Sequence, residues 1–117
     1  MRRALLLAFL LALGILAGPA FAQSGPVRIV VPSAPGSAAD AVVRGLAEPL
    51  GEILGAAVVV ENVPGGGGGV GAGRVMQSRR DGTTILSAVS GSLIGPMLDP
   101  NLPWRIGRDL LPLSQLT

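Results

Sequence analysis

The stretch Val27-Arg28-Ile29-Val30-Val31-Pro32-Ser33-Ala34-Pro35-Gly36-Ser37 decides how the chain is read. Its first five residues are mostly β-branched and are stopped by Pro32, which predicts a strand. The Pro, Gly and Ser residues that follow cannot extend it and predict a loop. Beyond the loop, Ser37 has Asp40 three residues on, a shortened capping box that predicts a helix start. Val43, Leu46, Leu50 and Ile53 then recur on one helical face, with Arg44, Glu48 and Glu52 opposite. The helix should run to about Leu54 despite Pro49, which removes one backbone bond, and Gly55 suits the position just past its end.

The pattern repeats downstream. Ala56 to Glu61 reads as a second strand, and its unalternating Val58-Val59-Val60 predicts cover on both faces. After Asn62-Val63-Pro64 come five glycines, Gly65 to Gly69, then a short helix from about Val70 to Ser78. Thr83 to Val89 reads as a third strand, followed by Ser90-Gly91-Ser92 and a helical turn that ends before Pro96. Asp99 to Trp104 is an irregular connection, and Leu110 to Leu116 reads as the start of a fourth strand. Alternation of strand and helix predicts an α/β fold, a parallel sheet with helices on its faces. In such sheets the binding crevice lies at the carboxyl ends of the strands. Here that places Pro32 to Ser37, Asn62 to Gly69 and Ser90 to Ser92 together.

The first of these loops feeds a helix N-terminus. Free amides and the helix dipole favour an anion there, by roughly 0.3–2 kcal/mol for the dipole contribution. Gly36 allows close backbone approach, and Ser33 and Ser37 add hydroxyls. The plainer reading is a tight turn whose capping serves folding alone. Gly66, Gly68 and Gly71 fit G-x-G-x-x-G, but among so many glycines a match is nearly guaranteed. Several residues separate it from the preceding strand, no acidic residue ends the third strand, and no G-K-[ST] element exists, so dinucleotide binding is the weaker alternative to a flexible loop. Ser90 and Ser92 do not sit in G-x-S-x-G and no histidine exists to activate them, so they read as hydrogen-bond donors rather than nucleophiles. None of the three loops carries arginine, which favours reversible capture of a small carboxylate over a multiply charged phosphate.

Composition narrows the chemistry further. The 117 residues contain no His, Cys or Tyr, and all nine cationic side chains are arginine. Disulfides, His or Cys metal sites, cysteine nucleophiles and His-based triads are excluded. The reading is therefore a non-enzyme with no catalytic residue, metal or cofactor. Arg2 and Arg3, the apolar run Ala4 to Ala17 and the A-x-A site Ala20-Phe21-Ala22 make residues 1–22 a secretory signal peptide, cleaved after Ala22. Cleavage leaves 95 residues, 23–117, with seven arginines against seven acids. No basic patch remains for nucleic acid. One small domain without disulfides would be weakly stable unless part of a larger whole.

Taken in order, Val27-Arg28-Ile29-Val30-Val31-Pro32, Pro35-Gly36, Asp40, Val58-Val59-Val60-Glu61-Asn62, Pro64-Gly65, Asp81-Gly82, Thr84, Ser90-Gly91, Pro96 and Leu102-Pro103 resemble the tripartite tricarboxylate transporter substrate-binding proteins, the Bug-type periplasmic receptors. The resemblance runs from about Pro26 to the end. It implies part of the first lobe of a Venus-flytrap, type II-like binding protein. Such a receptor works in the periplasm, binds a small organic acid (a di- or tricarboxylate, an aromatic acid or an acidic amino acid) and delivers it to two membrane components of a transporter. Carried over, Ser33, Pro35, Gly36 and Ser37 with Ser90, Gly91 and Ser92 would hold one ligand carboxylate, and Gly65 and Gly66 would lie beside the same cleft. Ser37 replaces a usual glycine, Ala39 a usual polar residue, and Val89 a common polar residue, which leaves ligand preference open. Family members are about three times longer, so 23–117 is expected to be an incomplete N-terminal lobe, and a truncated, non-binding remnant is the alternative to a receptor fragment.

Overall fold

A computed structural model of the chain describes residues 25–102, 104–105 and 107–116. The signal-peptide reading of 1–22 lies outside the described residues, as do Pro103, Ile106 and Thr117. The elements run β1 (Val27–Val31), α1 (Ala38–Leu54), β2 (Val58–Asn62), a 3-10 turn (Gly66–Gly68), α2 (Gly69–Met76), β3 (Thr84–Leu86) and α3 (Ser90–Leu98). The strands form one sheet in the order β2-β1-β3, and both pairings are parallel. Val27 to Val31 pair with Val58 to Asn62 in step, and Arg28 to Val30 with Thr84 to Leu86.

β1 is the middle strand because it can be buried on both faces. Ile29 and Val31 point to one side, where Val43 of α1 completes a buried cluster flanked by Ala39, Leu50, Val58 and Val60. Val30 points the other way and is fully buried. On that side α2 packs over β1 and β3 and buries Gly71, Ala72 and Val75. Helix α1 ends as its sequence demands: Gly55 takes the left-handed conformation (φ 61°) and its amide donates to Gly51 O.

Five expectations are corrected. Val59 is half exposed, because β2 is an edge strand and only Val58 and Val60 face α1. Leu46 and Ile53 are not core residues: Ile53 is 81% exposed, since α1 rests on β1 and β2 through Ala39, Val43 and Leu50. α3 continues through Pro96 to Leu98, closed by the Asp99 amide on Gly95 O at 2.9 Å. β3 stops at Leu86, although the Ser87 amide still donates to Val30 O. The expected fourth strand reduces to a single bridge residue, Leu110, and 111–116 have no regular structure.

Parallel pairing puts the three carboxyl-terminal loops at one end of the sheet. The turns at Gly36 and Ser90 therefore share an edge, as the strand order requires.

Candidate functional site

The loop after β1 is organised around a carboxylate. Asp40, on the first turn of α1, is buried. Its Oδ2 accepts the Gly36 amide at 2.8 Å, and both its oxygens accept Arg44 Nε at 3.0 Å. Asn62 Nδ2 donates to Asp40 Oδ1 at 2.9 Å and to Ser33 O at 3.2 Å, while Asn62 Oδ1 accepts Arg44 at 2.9 Å. Ser37 Oγ accepts the Asp40 amide at 3.3 Å and lies 2.7 Å from Ser33 Oγ. The α1 N-terminus thus carries a side-chain cap from Ser37 and a negative charge belonging to the chain itself, although the Ala38 and Ala39 amides find no acceptor among the described residues.

The Arg44 hydrogen bond, then those of Gly36 and Asn62, lower the Asp40 pKa from 3.8 to about 2. A carboxyl whose folded pKa is depressed stabilises the fold above its ordinary pKa and loses that contribution as pH falls through the folded value. Asp81, held by the Thr83 hydroxyl and amide, and Asp109, held by Arg108, act in the same direction. The urea midpoint is expected to fall as pH drops from about 4 towards 2, and Asp40→Asn to flatten that fall. Equal slopes for the two proteins would show that Asp40 takes up no extra proton on unfolding.

The glycine run does not form a dinucleotide turn. Val63, Pro64 and Gly65 separate β2 from the 3-10 turn, and Gly66, Gly67 and Gly68 all have positive φ (54°, 60° and 98°). Their function is close contact. A Cβ on Gly68 would overlap the Ser92 hydroxyl, and one on Gly91 would overlap Gly67 O. The turn is thereby seated against the start of α3. Gly71 of α2 makes a similar approach, with its Cβ position 2.7 Å from Pro32 Cβ.

The start of α3 contrasts with that of α1. Val89 occupies the capping position and offers no side-chain acceptor, and no acidic residue lies in the first turn. The Ser92 amide donates to Val89 O, but the Ser90 and Gly91 amides find no acceptor among the described residues. The Ser92 hydroxyl is fully buried without a partner among the described residues. An uncapped helix N-terminus with no local negative charge is electrostatically suited to an anion.

Of the residues singled out in the sequence, Gly65 and Gly66 adjoin Ser90, Gly91 and Ser92 through the glycine turn. Ser33, Pro35, Gly36 and Ser37 form the neighbouring loop, which reaches the glycine segment through Pro32 against Gly71. Sequence reasoning missed Arg44 and Asn62. The Asp40-to-Arg44 spacing of four was a readable signal for the first, whereas Asn62, although it opens the second crevice segment, carried no sign that it would bond to Asp40 and Ser33. A shallow groove of about 550 Å³, lined by Leu93, Pro96, Met97 and Arg105, lies beyond these loops on α3. Its guanidinium already donates to the carbonyls of Pro100, Leu102 and Trp104. Among the described residues no three His, Cys, Asp or Glu side chains converge on a possible metal position.

Residues 42–117 match the sequence profile described as tripartite tricarboxylate transporter family receptor. The chain belongs to that receptor family. Among curated relatives of the receptor family, the protein BugT of Bordetella pertussis is 37% identical over 93 residues, covering 78% of this chain and 28% of BugT. The structure of the periplasmic binding protein BugD superposes with a TM-score of 0.52 at 46% identity, covering 54% of this chain and 21% of BugD. MatC from Rhodopseudomonas palustris, solved with malate bound, gives 0.64 at 32% identity, covering 70% of this chain and 28% of MatC. The chain thus spans roughly a fifth to a third of the relatives it matches, and its α/β architecture is that of Bug-type periplasmic binding proteins. Receptors of this family are solute-binding proteins.

Proposed function

We propose that this chain supplies the anion-holding loops of a periplasmic receptor that captures a small carboxylate for the membrane components of a tripartite transporter. The observation that carries the reading is the uncapped start of α3, where the Ser90 and Gly91 amides, without an acceptor among the described residues, lie beside the Gly65 to Gly68 turn. A ligand carboxylate is placed there, with Gly65, Gly66 and Ser92 enclosing it. Ser33, Pro35, Gly36 and Ser37 form the facing wall. The Gly36 amide is already taken by Asp40, so the wall contributes shape and hydroxyls rather than a second anion site. The malate in MatC supports a small dicarboxylate as the first ligand to try. Residues 1–22 are proposed to direct export to the periplasm and to be cleaved after Ala22.

Titration of the isotopically labelled chain with malate, citrate, aspartate and benzoate tests this. The amide resonances of Ser90, Gly91 and Gly66 are expected to move together and saturably with at least one acid. Absence of any saturable shift, or shifts confined to surfaces away from these loops, would overturn the reading. A second reading has its own motive: Met97, Leu98 and Leu113 are largely exposed, together with Ile53. Such a surface suits a folded chain that captures nothing by itself. In that case the same titration leaves every resonance in place while the spectrum stays dispersed.

A further inference from the structure

Three segments meet at one side chain. Asn62 is the last residue of β2 and pairs with Val31, the last residue of β1. From there its amide group reaches across the following loop. Nδ2 donates both to Ser33 O, inside the loop, and to Asp40 Oδ1, on the helix that the loop feeds. Its oxygen accepts Arg44 from the next turn of that helix. Each polar atom of the side chain is therefore committed, and each commitment joins a different part of the loop's surroundings. Without Asn62, the loop would keep its local capping: Gly36 on Asp40, Asp40 on Ser37 and Arg44 on Asp40. It would lose its only described side-chain link to the sheet edge, the link that fixes where Ser33 and Ser37 stand relative to the start of α3.

We infer that Asn62 is a positioning residue, tethering the loop after β1 to the end of β2 so that the Ser33 and Ser37 hydroxyls face the ligand in one fixed place. The inference rests on the proposed function for what the loop faces, but the tether itself does not. Asparagine suits the task because it donates and accepts at once. Aspartate at this position would set a second carboxylate against Asp40 and an acceptor against Ser33 O, and alanine would simply leave the gap.

Asn62→Ala separates positioning from folding. The local cap of α1 survives, so the unfolding midpoint should move by no more than a few degrees. Amide exchange at Gly36 and Ser37 should quicken, and malate affinity should fall about tenfold, the cost of one lost hydrogen bond passed on through misplaced hydroxyls. Asn62→Asp, which keeps the size but reverses the donors, should weaken malate binding at least as much. It also serves if the alanine variant fails to fold. Unchanged exchange at Gly36 and Ser37 in a folded variant, or wild-type malate affinity in either variant, would overturn the inference. If the unaltered chain binds none of malate, citrate, aspartate and benzoate, the functional reading fails on its own, and the exchange rates still decide whether the tether exists.

Discussion

Gly91→Ala is expected to destabilise the chain by about 1–3 kcal/mol, the range for overpacking a filled contact, and to abolish carboxylate binding. The new methyl group would overlap the Gly67 carbonyl oxygen and come within 2.9 Å of its carbon. Neither can yield cheaply. The obstacle is backbone, not the end of a flexible side chain, and Gly67 is already held in a left-handed conformation between two other glycines with positive φ. Relief requires α3 to withdraw from the glycine turn, which separates the free amides of Ser90 and Gly91 from Gly65 and Gly66. Gly95→Ala in the same helix is the control. Its Cβ would meet nothing closer than Leu102 Cδ1 at 3.9 Å, so it should be neutral or stabilise by up to about 1 kcal/mol through helix propensity. Urea midpoints of both variants, with malate titrations at fixed pH, make the comparison. Equal midpoints for the two would mean that the turn and the helix are not in contact.

The central strand and its loop were legible because they obey local rules. Val27 to Val31 is β-branched and ended by proline, and Ser37 with Asp40 marks a helix start whatever else the chain does. The same local rules misled where burial depends on neighbours. The 3.6-residue period placed Leu46 and Ile53 on the face of Val43, yet how far a helix is covered is set by the width of sheet beneath it, and that width is three strands. Val59 was misread for the same reason, since a valine run carries no sign of whether it lies at an edge or in the middle.

For the site, the parallel strand order alone sufficed to place Gly36, Gly65 and Ser90 at one end of the sheet. It could not distinguish the two helix N-termini. Both follow Ser- and Gly-rich loops, but one carries Asp40 and the other nothing acidic, and the consequence depends on where the Asp40 side chain turns. Folded back on Gly36, it sets a negative charge at the α1 N-terminus, whereas α3 starts with neither an acidic residue nor a side-chain cap. The contact of Gly68 with Ser92 and of Gly91 with Gly67 joins residues more than twenty positions apart, so no sequence periodicity could reveal it.

Trp104→Ala should cost about 3–5 kcal/mol, the usual effect of truncating a buried aromatic side chain. Trp104 is the only tryptophan of the chain and is 2% exposed, although it lies in a stretch without regular structure. Its surroundings show why burial there matters. The Asn101 amide donates to Asp99 Oδ1, Arg105 donates to the carbonyls of Pro100, Leu102 and Trp104, and the Arg105 amide donates to Asp109 Oδ2. These bonds are all local. They shape the segment after α3, in which Trp104 is the one buried large apolar side chain among the described residues. A small domain commonly has a total stability of about 5–15 kcal/mol, so this one truncation removes a large fraction of it. With no tyrosine present, Trp104 also dominates the near-ultraviolet fluorescence, and its emission in the native chain should be blue-shifted and move to the red on unfolding. The variant is followed by circular dichroism, with Leu113→Ala as the comparison. Leu113 is 79% exposed, and its loss should stay within about 0.5 kcal/mol. Equal midpoints for the two variants would place the indole outside the cooperative fold, and the segment after α3 would then be an appendage to the three-stranded core.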